Sequence, residues 1–444
     1  MSDKIAAIAT GHARTGIGVL RLSGDGCIEA AEQVFRLNSG RPLSSLSDRK
    51  LALGTLFDAQ GRPIDHCMAF ISRAPHSYTG EDTAEIQCHG SPAALTAGLE
   101  ALFAAGFRQA RPGEFTRRAF LNGQMDLTQA EAVIDLIDAE TADAAANAAG
   151  QVAGAIRKKI DPIYDSWVDL CAHFHAVLDY PDEDIDPFTL SGYEASLTES
   201  SRQLTALLTS CHRGRMVQSG IKAVILGSPN AGKSSLLNRL SGFDRVIVTD
   251  IPGTTRDVVR GSILVAGLRV NLSDTAGIRE QAETVEAIGV QRAREIMRAA
   301  DLVLLVLDGS QPLTAEDEEL LRETESYPRL ILCNKADRGA AFELPGALRI
   351  SAATGEGMDA LRQELARRAG MPCELPLTSE RHMRLARAAA QHLQTAADAL
   401  ENGQPLDLAA IDLHAALDCL GEVTGDRVDE KLLDSVFSRF CVGK

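Results

Sequence analysis

Hydrophobic and polar positions change rhythm repeatedly along the chain. Through residues 1–121 the apolar positions come in short alternating runs, "GVLRLSG", "LALGTLF", "CMAFISR" and "TAEIQCHG". Gly and Pro punctuate them, and two helix-like stretches, "CIEAAEQVFRL" and "PAALTAGLEALFAAG", lie between. Period-two alternation predicts half-buried strands, and the mixture predicts a compact α+β domain. From 122 to 214 the texture is helical and Ala-rich, broken at "DYPDEDIDPF", where prolines and acids forbid a continuous helix. From 219 to 372 strands and helices alternate in the α/β manner. From 377 to 444 helix returns in "RHMRLARAAAQHLQTAADAL", "LDLAAIDLHAALDCLGEV" and "DEKLLDSVFSRF". No internal repeat or low-complexity tract interrupts this order.

Helical texture on both sides of an α/β block predicts an insertion. The flanking amphipathic helices need partners for their apolar stripes, and packing on each other as one bundle supplies them. Separate helical units strung in a line are the alternative. The fold class expected is therefore multidomain: an N-terminal α+β domain, an α-helical bundle and an inserted α/β domain.

At 444 residues the chain exceeds one hydrophobic core. No apolar run approaches the ~18–20 residues of a membrane span, and "MSDKIAAIATG" carries no signal-peptide stretch, so a cytoplasmic location is expected. Nine cysteines without a CxxC pair fit reduced thiols better than a disulfide frame or zinc site. His173 and His175 lie two apart on a predicted helix and so point to different faces, which argues against joint metal ligation. The net charge of −16 disfavours generic capture of nucleic acid. A local basic patch such as "RPGEFTRRAF", or a partner, would have to supply such contacts.

"IKAVILGSPNAGKSSLLNRL" fits G-x-x-x-x-G-K-S in a strand–loop–helix setting. Gly227 and Gly232 let the backbone curl around a phosphate. Asn230, Ala231, Gly232, Lys233, Ser234 and Ser235 form the cradle, with Lys233 reaching the β- and γ-phosphates from a helix N-terminus and Ser234 offering a hydroxyl to Mg²⁺. "VNLSDTAGIRE" ends a strand with Asp274, placed to hold a magnesium-bound water, followed by Thr275, Ala276 and Gly277, whose N–H meets the γ-phosphate. In "LILCNKAD", Asp337 accepts from guanine N1–H and its exocyclic amine, Asn334 supports the loop, and the stem of Lys335 covers the base. "LRISAATG" brings N–H groups around Ser351 and Ala352 toward guanine O6. Four such motifs in order, each at a strand end, predict a G domain that takes GTP rather than ATP.

The hydrolytic residue is less direct. Ile278 follows DTAG, and an alkyl chain cannot orient water. Acids in "GIREQAETVEAIG" are candidates, as is the loop "VIVTDIPGTTRDVV", which carries Thr249, Asp250, Ile251, Pro252, Gly253, Thr254, Thr255 and Arg256. Thr255 offers a hydroxyl to Mg²⁺. Carbonyls and hydroxyls around Thr249, Ile251 and Thr254, with the Asn230 amide oxygen, could ligate a monovalent cation that offsets transition-state charge. Equally, Arg256 or a partner could supply that charge.

A G domain carrying "GSPNAGKSSL", "TDIPGTTRD", "DTAGIRE" and "NKAD", preceded by "ARPGEFTRRAFLNGQMDLTQAEAVIDLIDA" and followed by "FCVGK", resembles the MnmE (TrmE) family of tRNA-modification GTPases over essentially the whole chain. The resemblance implies an N-terminal tetrahydrofolate-binding and dimerisation domain (1–121), a helical domain built from 122–214 and 377–444, and a G domain at 219–372 inserted between its parts. It implies a flavoprotein partner, MnmG (GidA), and addition of an aminomethyl or carboxymethylaminomethyl group to C5 of the wobble uridine of certain tRNAs. A tetrahydrofolate derivative would supply the one-carbon unit. GTP hydrolysis would drive potassium-dependent G-domain dimerisation within a homodimer, with no membrane role. Asn230, Thr249, Ile251 and Thr254 would hold K⁺, Ser234 and Thr255 Mg²⁺, and Glu286 would orient the attacking water.

Folate contacts implied by the resemblance are Arg21, Glu85, Gln124 and Lys444. Alternation in "TAEIQCHG" puts Thr83, Glu85, Gln87 and His89 on one face and Ala84, Ile86 and Cys88 on the other, so Glu85 can face a pocket. Position 124 is usually lysine in the family; glutamine keeps a donor and loses the charge. Val436, Phe437 and Phe440 are spaced to bury, which would hold Cys441 still near the folate pocket as a nucleophile or base. Rival readings are a ribosome-assembly GTPase, disfavoured because no KH-like appendage is found, and a folate-dependent aminomethyltransferase whose G domain only regulates.

Overall fold

The computed structural model describes residues 2–11, 13–179, 195–208, 220–241, 261–265, 268–274, 297–298, 300–369 and 379–444. The chain forms two compact units. The first gathers residues 1–138, 148–201 and 385–444, and the second gathers 139–147 and 202–384.

The first unit is built on a seven-stranded sheet in the order β3-β4-β5-β6-β2-β1-β7. Its strands are β1 (Ile5–Ile8), β2 (Ile17–Ser23), β3 (Phe35–Leu37), β4 (Ala52–Phe57), β5 (Pro63–Ser72), β6 (Thr83–His89) and β7 (Arg108–Gln109). Alternation decides which face each residue joins. Leu20, Leu22, Ala84, Ile86 and Cys88 pack under α1 (Cys27–Ala31) and α2 (Pro92–Ala104). On the opposite face Ile5 and Ala7 pack with Phe115 of α3 (Glu114–Leu121). Arg21 and Glu85 share that second face, directly opposed in the β2–β6 ladder.

Helices complete the unit: α4 (Leu127–Ile137), the later part of α5 (Ala142–Val152), α6 (Ala155–Asp179), and later in the chain most of α10 (Glu380–Glu401), α11 (Leu406–Thr424) and α12 (Glu430–Phe437). α4 begins at a reciprocal cap in which Asp126 Oδ1 accepts from Gln129 N–H at 2.9 Å and Gln129 Oε1 from Asp126 N–H at 3.0 Å. α6 and α11 are neighbours, with the His175 and His414 Nε2 atoms 3.3 Å apart. Helices on the two sides of the second unit's sequence therefore pack together. Val436, Phe437 and Phe440 bury against Leu127 and Ala130 of α4, as their spacing predicts. The "DYPDEDIDPF" break lies outside the described residues, apart from the backbone of Asp179.

An ion network ties β1 to α3. Arg118 donates to Asp3 Oδ1 at 2.6 Å and to Glu81 Oε2 at 2.8 Å, while Arg108 bonds Glu114 Oε2 at 2.8 Å and also Asp3.

The second unit carries a six-stranded sheet, β13-β12-β11-β8-β10-β9. Its strands are β8 (Ile221–Leu226), β9 (Gly261–Val265), β10 (Leu268–Asp274), β11 (Leu302–Asp308), β12 (Arg329–Asn334) and β13 (Leu348–Arg349). β10, β8, β11, β12 and β13 run parallel; only β9 is antiparallel. The near-continuous apolar run of β11, buried over Leu302–Leu307, is what a parallel strand covered on both faces requires. Its helices are α7 (Lys233–Ser241), α8 (Ala315–Glu323) and α9 (Met358–Ala369). Among the described residues no helix is long and apolar enough to cross a membrane.

The acid response of the first unit follows from this network. The Arg108 hydrogen bond holds the Asp3 carboxyl below its usual range. Burial raises the Glu114 carboxyl, but bonds from Arg108 and the Arg111 N–H outweigh it and leave it lowered. Both carboxyls protonate at lower pH folded than unfolded. Their stabilisation is complete above the unfolded values of about 4 and is lost as pH falls through the depressed folded ones. Arg108→Leu is expected to flatten the acid limb of stability against pH, measured by denaturant unfolding between about pH 5 and 2.

Candidate functional site

β8 is the switch point of its sheet, with parallel neighbours on both sides, and the loops at the carboxyl edge of such a sheet form its crevice. The 227–232 turn leaves β8 there and enters α7. Gly227 has φ of 154°, and a Cβ on it would lie 2.2 Å from Val306 O. Gly232 has φ of 97°, and a Cβ would meet Asn334 Nδ2 at 2.1 Å. Only glycine fits either place. Lys233 is buried, and its Nζ donates to the Gly227 and Ser228 carbonyls at 2.8 and 2.7 Å, which fixes the ammonium across the loop. Ser234 and Ser235 are exposed in the first turn of α7; Ala231 is buried. Asn230, exposed with φ of 67°, sits on the crest of the turn.

Asn334 ends β12 and is 2% exposed. Its Nδ2 donates to Ala231 O at 2.8 Å, and its Oδ1 accepts from Ala352 N–H at 3.0 Å. One carboxamide thus joins the phosphate-type loop to the 351–354 loop. Lys335, with φ of 64°, bonds Asp308 Oδ2 at 2.6 Å. Burial raises the Asp308 carboxyl, and bonds from Lys335 and Ser310 outweigh that and hold it below its usual range. Asp337 is exposed, its Oδ1 accepting from Ser351 Oγ at 2.5 Å. The N–H groups of Ser351 and Ala352 both bond inside the protein, to Glu356 O at 2.9 Å and to Asn334. To reach guanine O6, Ala352 must share or exchange its bond with Asn334.

Sequence reasoning missed Arg239. From the last turn of α7 its guanidinium donates to Ala352 O at 2.9 Å and to Ala353 O. It therefore braces the 351–354 loop from the helix that opens at Lys233. A lone Arg in a helical stretch gives no sequence signal of such a reach.

Thr249, Asp250, Ile251, Pro252, Gly253, Thr254, Thr255, Arg256, Thr275, Ala276, Gly277 and Glu286 lie outside the described residues, as does the side chain of Asp274, whose backbone ends β10.

A second constellation lies in the first unit. Arg21 Nε pairs with Glu85 Oε1 at 2.8 Å, and Arg21 Nη1 donates to Gly443 O at 3.2 Å. The guanidinium sits 5.8 Å from the Tyr78 ring centroid and 5.9 Å from that of Phe115. Residues 441–444 are clasped beside α3: Gly113 N–H donates to Cys441 O, Phe115 N–H to Lys444 O at 3.2 Å, and Pro112 bridges Val442. Gly443 has φ of 98°, and a Cβ there would lie 2.6 Å from Ile8 O. Burial, then the Arg21 guanidinium, push the Lys444 ammonium below its ordinary value, while Glu85 and Cys441 pull it up. Arg21, Glu85, Lys444 and the exposed Cys441 thus form one electrostatic cluster. Gln124 is exposed on the neighbouring turn, where a Cβ on Gly80 would lie 3.1 Å from its Nε2.

Comparison with known proteins bears on both constellations. Residues 4–124 match the model described as "GTP-binding protein TrmE N-terminus", and residues 127–441 match "MnmE helical domain". The tRNA modification GTPase MnmE of Symbiobacterium thermophilum is 44% identical over 100% of this chain and 99% of its own length. The chain belongs to the MnmE family of tRNA modification GTPases. The MnmE proteins of Lactiplantibacillus plantarum and Alkaliphilus metalliredigens are 40% and 38% identical over 100% of this chain, covering 98% and 100% of their own lengths. Among solved structures, the G domain of the T. maritima FeoB iron transporter is 27% identical, covering 34% of this chain and 98% of that one at a TM-score of 0.27. The TrmE N-terminal match spans the sheet that carries Arg21 and Glu85. The MnmE helical match reaches Cys441.

Arg239→Ala is expected to weaken GDP binding about 10-fold, the loss of one charge-assisted bond's worth of loop bracing. Inorganic pyrophosphate affinity should be unchanged, since Lys233 and the 227–232 turn are untouched. Isothermal titration with the two ligands checks the split.

Proposed function

We propose that this chain is a GTP hydrolase that works in the modification of tRNA, its hydrolytic cycle driving chemistry at C5 of the wobble uridine. The observation that carries the reading is the Asn334 carboxamide, which holds a phosphate-type loop and a purine-reading loop in one cradle, in a chain of the MnmE family from end to end. Asp337 reads the N1–H and exocyclic amine of guanine, donors that adenine does not present in that place. Lys233 turns from the Gly227 and Ser228 carbonyls toward the β- and γ-phosphates.

The exposed Ser234 hydroxyl in the first turn of α7, with Thr255, fits Mg²⁺, which supplies charge neutralisation along the triphosphate. The Asn230 amide, raised on the crest of the turn by its left-handed backbone, fits a monovalent cation completed by Thr249, Ile251 and Thr254. Asp274 would help to hold the Mg²⁺ through a water, and the Gly277 N–H would meet the γ-phosphate. Glu286 orients the attacking water, the role that Ile278 cannot fill.

In the first unit, Arg21, Glu85 and Lys444 bind a tetrahydrofolate derivative, with Gln124 at the rim. Lys444 is a half-buried lysine whose surroundings disfavour its charged form, and an anionic ligand beside it would favour that form. Cys441 stands exposed beside that pocket as nucleophile or base for one-carbon transfer. The flavoprotein MnmG is the partner, tRNA the substrate and the cytoplasm the site of action. The assembly is a homodimer through residues 1–121, which expose Ile17, Leu51, Leu53 and Met68, with transient pairing of the G domains (219–372) against a helical frame of 122–214 and 377–444.

Two experiments test the reading. Steady-state GTP hydrolysis is expected to run at least 10-fold faster in KCl than in NaCl; equal rates remove the cation from the mechanism. Cys441→Ser should leave GTP hydrolysis unchanged and abolish modification, read by mass spectrometry of wobble uridines in a deletion strain carrying the variant. Normal wobble uridines in the deletion strain itself would favour a ribosome-assembly role instead.

A further inference from the structure

Away from both constellations, one trio of ligand-type side chains converges among the described residues. Asp65 and Cys67 on β5 and Cys88 on β6 each place a donor atom within 4.8 Å of the others. The β5–β6 register pairs Met68 with Gln87, so one step further sets Cys67 opposite Cys88. Their Sγ atoms are 3.9 Å apart, and both residues are buried. Two thiolates bound at ~2.3 Å to a tetrahedral ion lie ~3.8 Å apart, whereas a disulfide would require about 2.05 Å.

The carboxylate sets this pair apart from ordinary core cysteines. Asp65, with an 11% exposed side chain, places a carboxylate oxygen within reach of both sulfurs. His89 clamps it: Oδ2 accepts from the His89 N–H at 2.7 Å, and Oδ1 lies 2.8 Å from Nδ1. Such bonds occupy one lone pair on each oxygen and orient the rest, as outer-sphere partners do for ligating carboxylates. The His89 side chain is 78% exposed, so this end of the sheet opens to solvent. Two sulfurs and one oxygen suit a borderline-soft ion, not Mg²⁺ or Ca²⁺, which take oxygen ligands.

We propose that Asp65, Cys67 and Cys88 form a three-ligand site for a divalent transition-series ion of the zinc class, with His89 as the positioning residue of the carboxylate. On binding, each Sγ–H bond breaks as a sulfur–metal bond forms. Two protons leave to solvent and no electrons are exchanged, so affinity falls as pH falls. The site is independent of the nucleotide and folate readings.

The reduced full-length protein titrated with Co²⁺ tests this. A sulfur-to-cobalt charge-transfer band saturating at a single equivalent is expected, and Zn²⁺ should bleach it. Cys67→Ser and Cys88→Ser should each halve the band or abolish it, Cys441→Ser should leave it intact, and Asp65→Asn should weaken Co²⁺ binding about 10-fold or more. No band, or a band that both Cys67→Ser and Cys88→Ser leave intact, overturns the proposal. Zn²⁺ alone should also raise the thermal midpoint of the parent protein and not that of the Cys67→Ala and Cys88→Ala variants. An unchanged parent midpoint overturns the site without reference to how the variants fold.

Discussion

Asn334 is 2% exposed and bonded at both ends of its carboxamide, to Ala231 O on one loop and Ala352 N–H on another. A buried amide that lost either partner would forfeit about 1–3 kcal/mol, so the loops hold position together or not at all. The crossing is close enough to exclude a Cβ at Gly232. With that spacing fixed, Lys233 can be held by the two carbonyls at the head of its own loop, and Arg239 can brace the far side of the 351–354 loop. The geometry expected to read a purine and cradle its phosphates is therefore a consequence of one side chain at the end of β12.

The first unit uses the same device with the roles of backbone and side chain exchanged. Residues 441–444 are held by backbone N–H groups at the start of α3, by Arg21 and by a left-handed glycine wedged against Ile8. The two lysines differ in consequence. Lys233 is satisfied by carbonyls at 2.7 and 2.8 Å, so its charge is supported before any anion approaches. Lys444 is destabilised as a cation by burial and by Arg21, with Glu85 and Cys441 opposing them, so its charge is less well supported than that of Lys233.

Much of this was legible because strand ends announce themselves. The motifs at Gly227, Asp274, Asn334 and Ser351 follow apolar runs whose parallel pairing puts their carboxyl ends on one edge. Alternation in "TAEIQCHG" likewise gave the face of Glu85, since Ala84, Ile86 and Cys88 are buried and Glu85 is not. What the pattern could not give is contact at long separation. Arg239 reaches carbonyls more than a hundred positions away, and Arg21 meets Gly443 across most of the chain. Nor could a count of cysteines lacking CxxC spacing reveal Cys67 opposite Cys88, because strand register, not local spacing, brings them together. The Ala352 N–H was expected to face the base, yet it is bonded to Asn334, a competition set by tertiary geometry.

Charge balance resolves the tension between a net charge of −16 and a polyanionic substrate. Repulsion from the whole chain is screened beyond about 8–10 Å at physiological ionic strength, so capture of an anion depends on what lies within that distance of it. Around the 441–444 clasp, the Arg21 guanidinium and the Lys444 ammonium sit with the Glu85 carboxylate in one cluster. Gln124 adds an uncharged donor nearby. Arg21 is held by Glu85, by the Gly443 carbonyl and between the Tyr78 and Phe115 rings, so its charge is fixed in place. A cation so fixed loses little side-chain entropy when an anion arrives, which is why two charges held in a clasp can do what a larger but mobile surface charge does not.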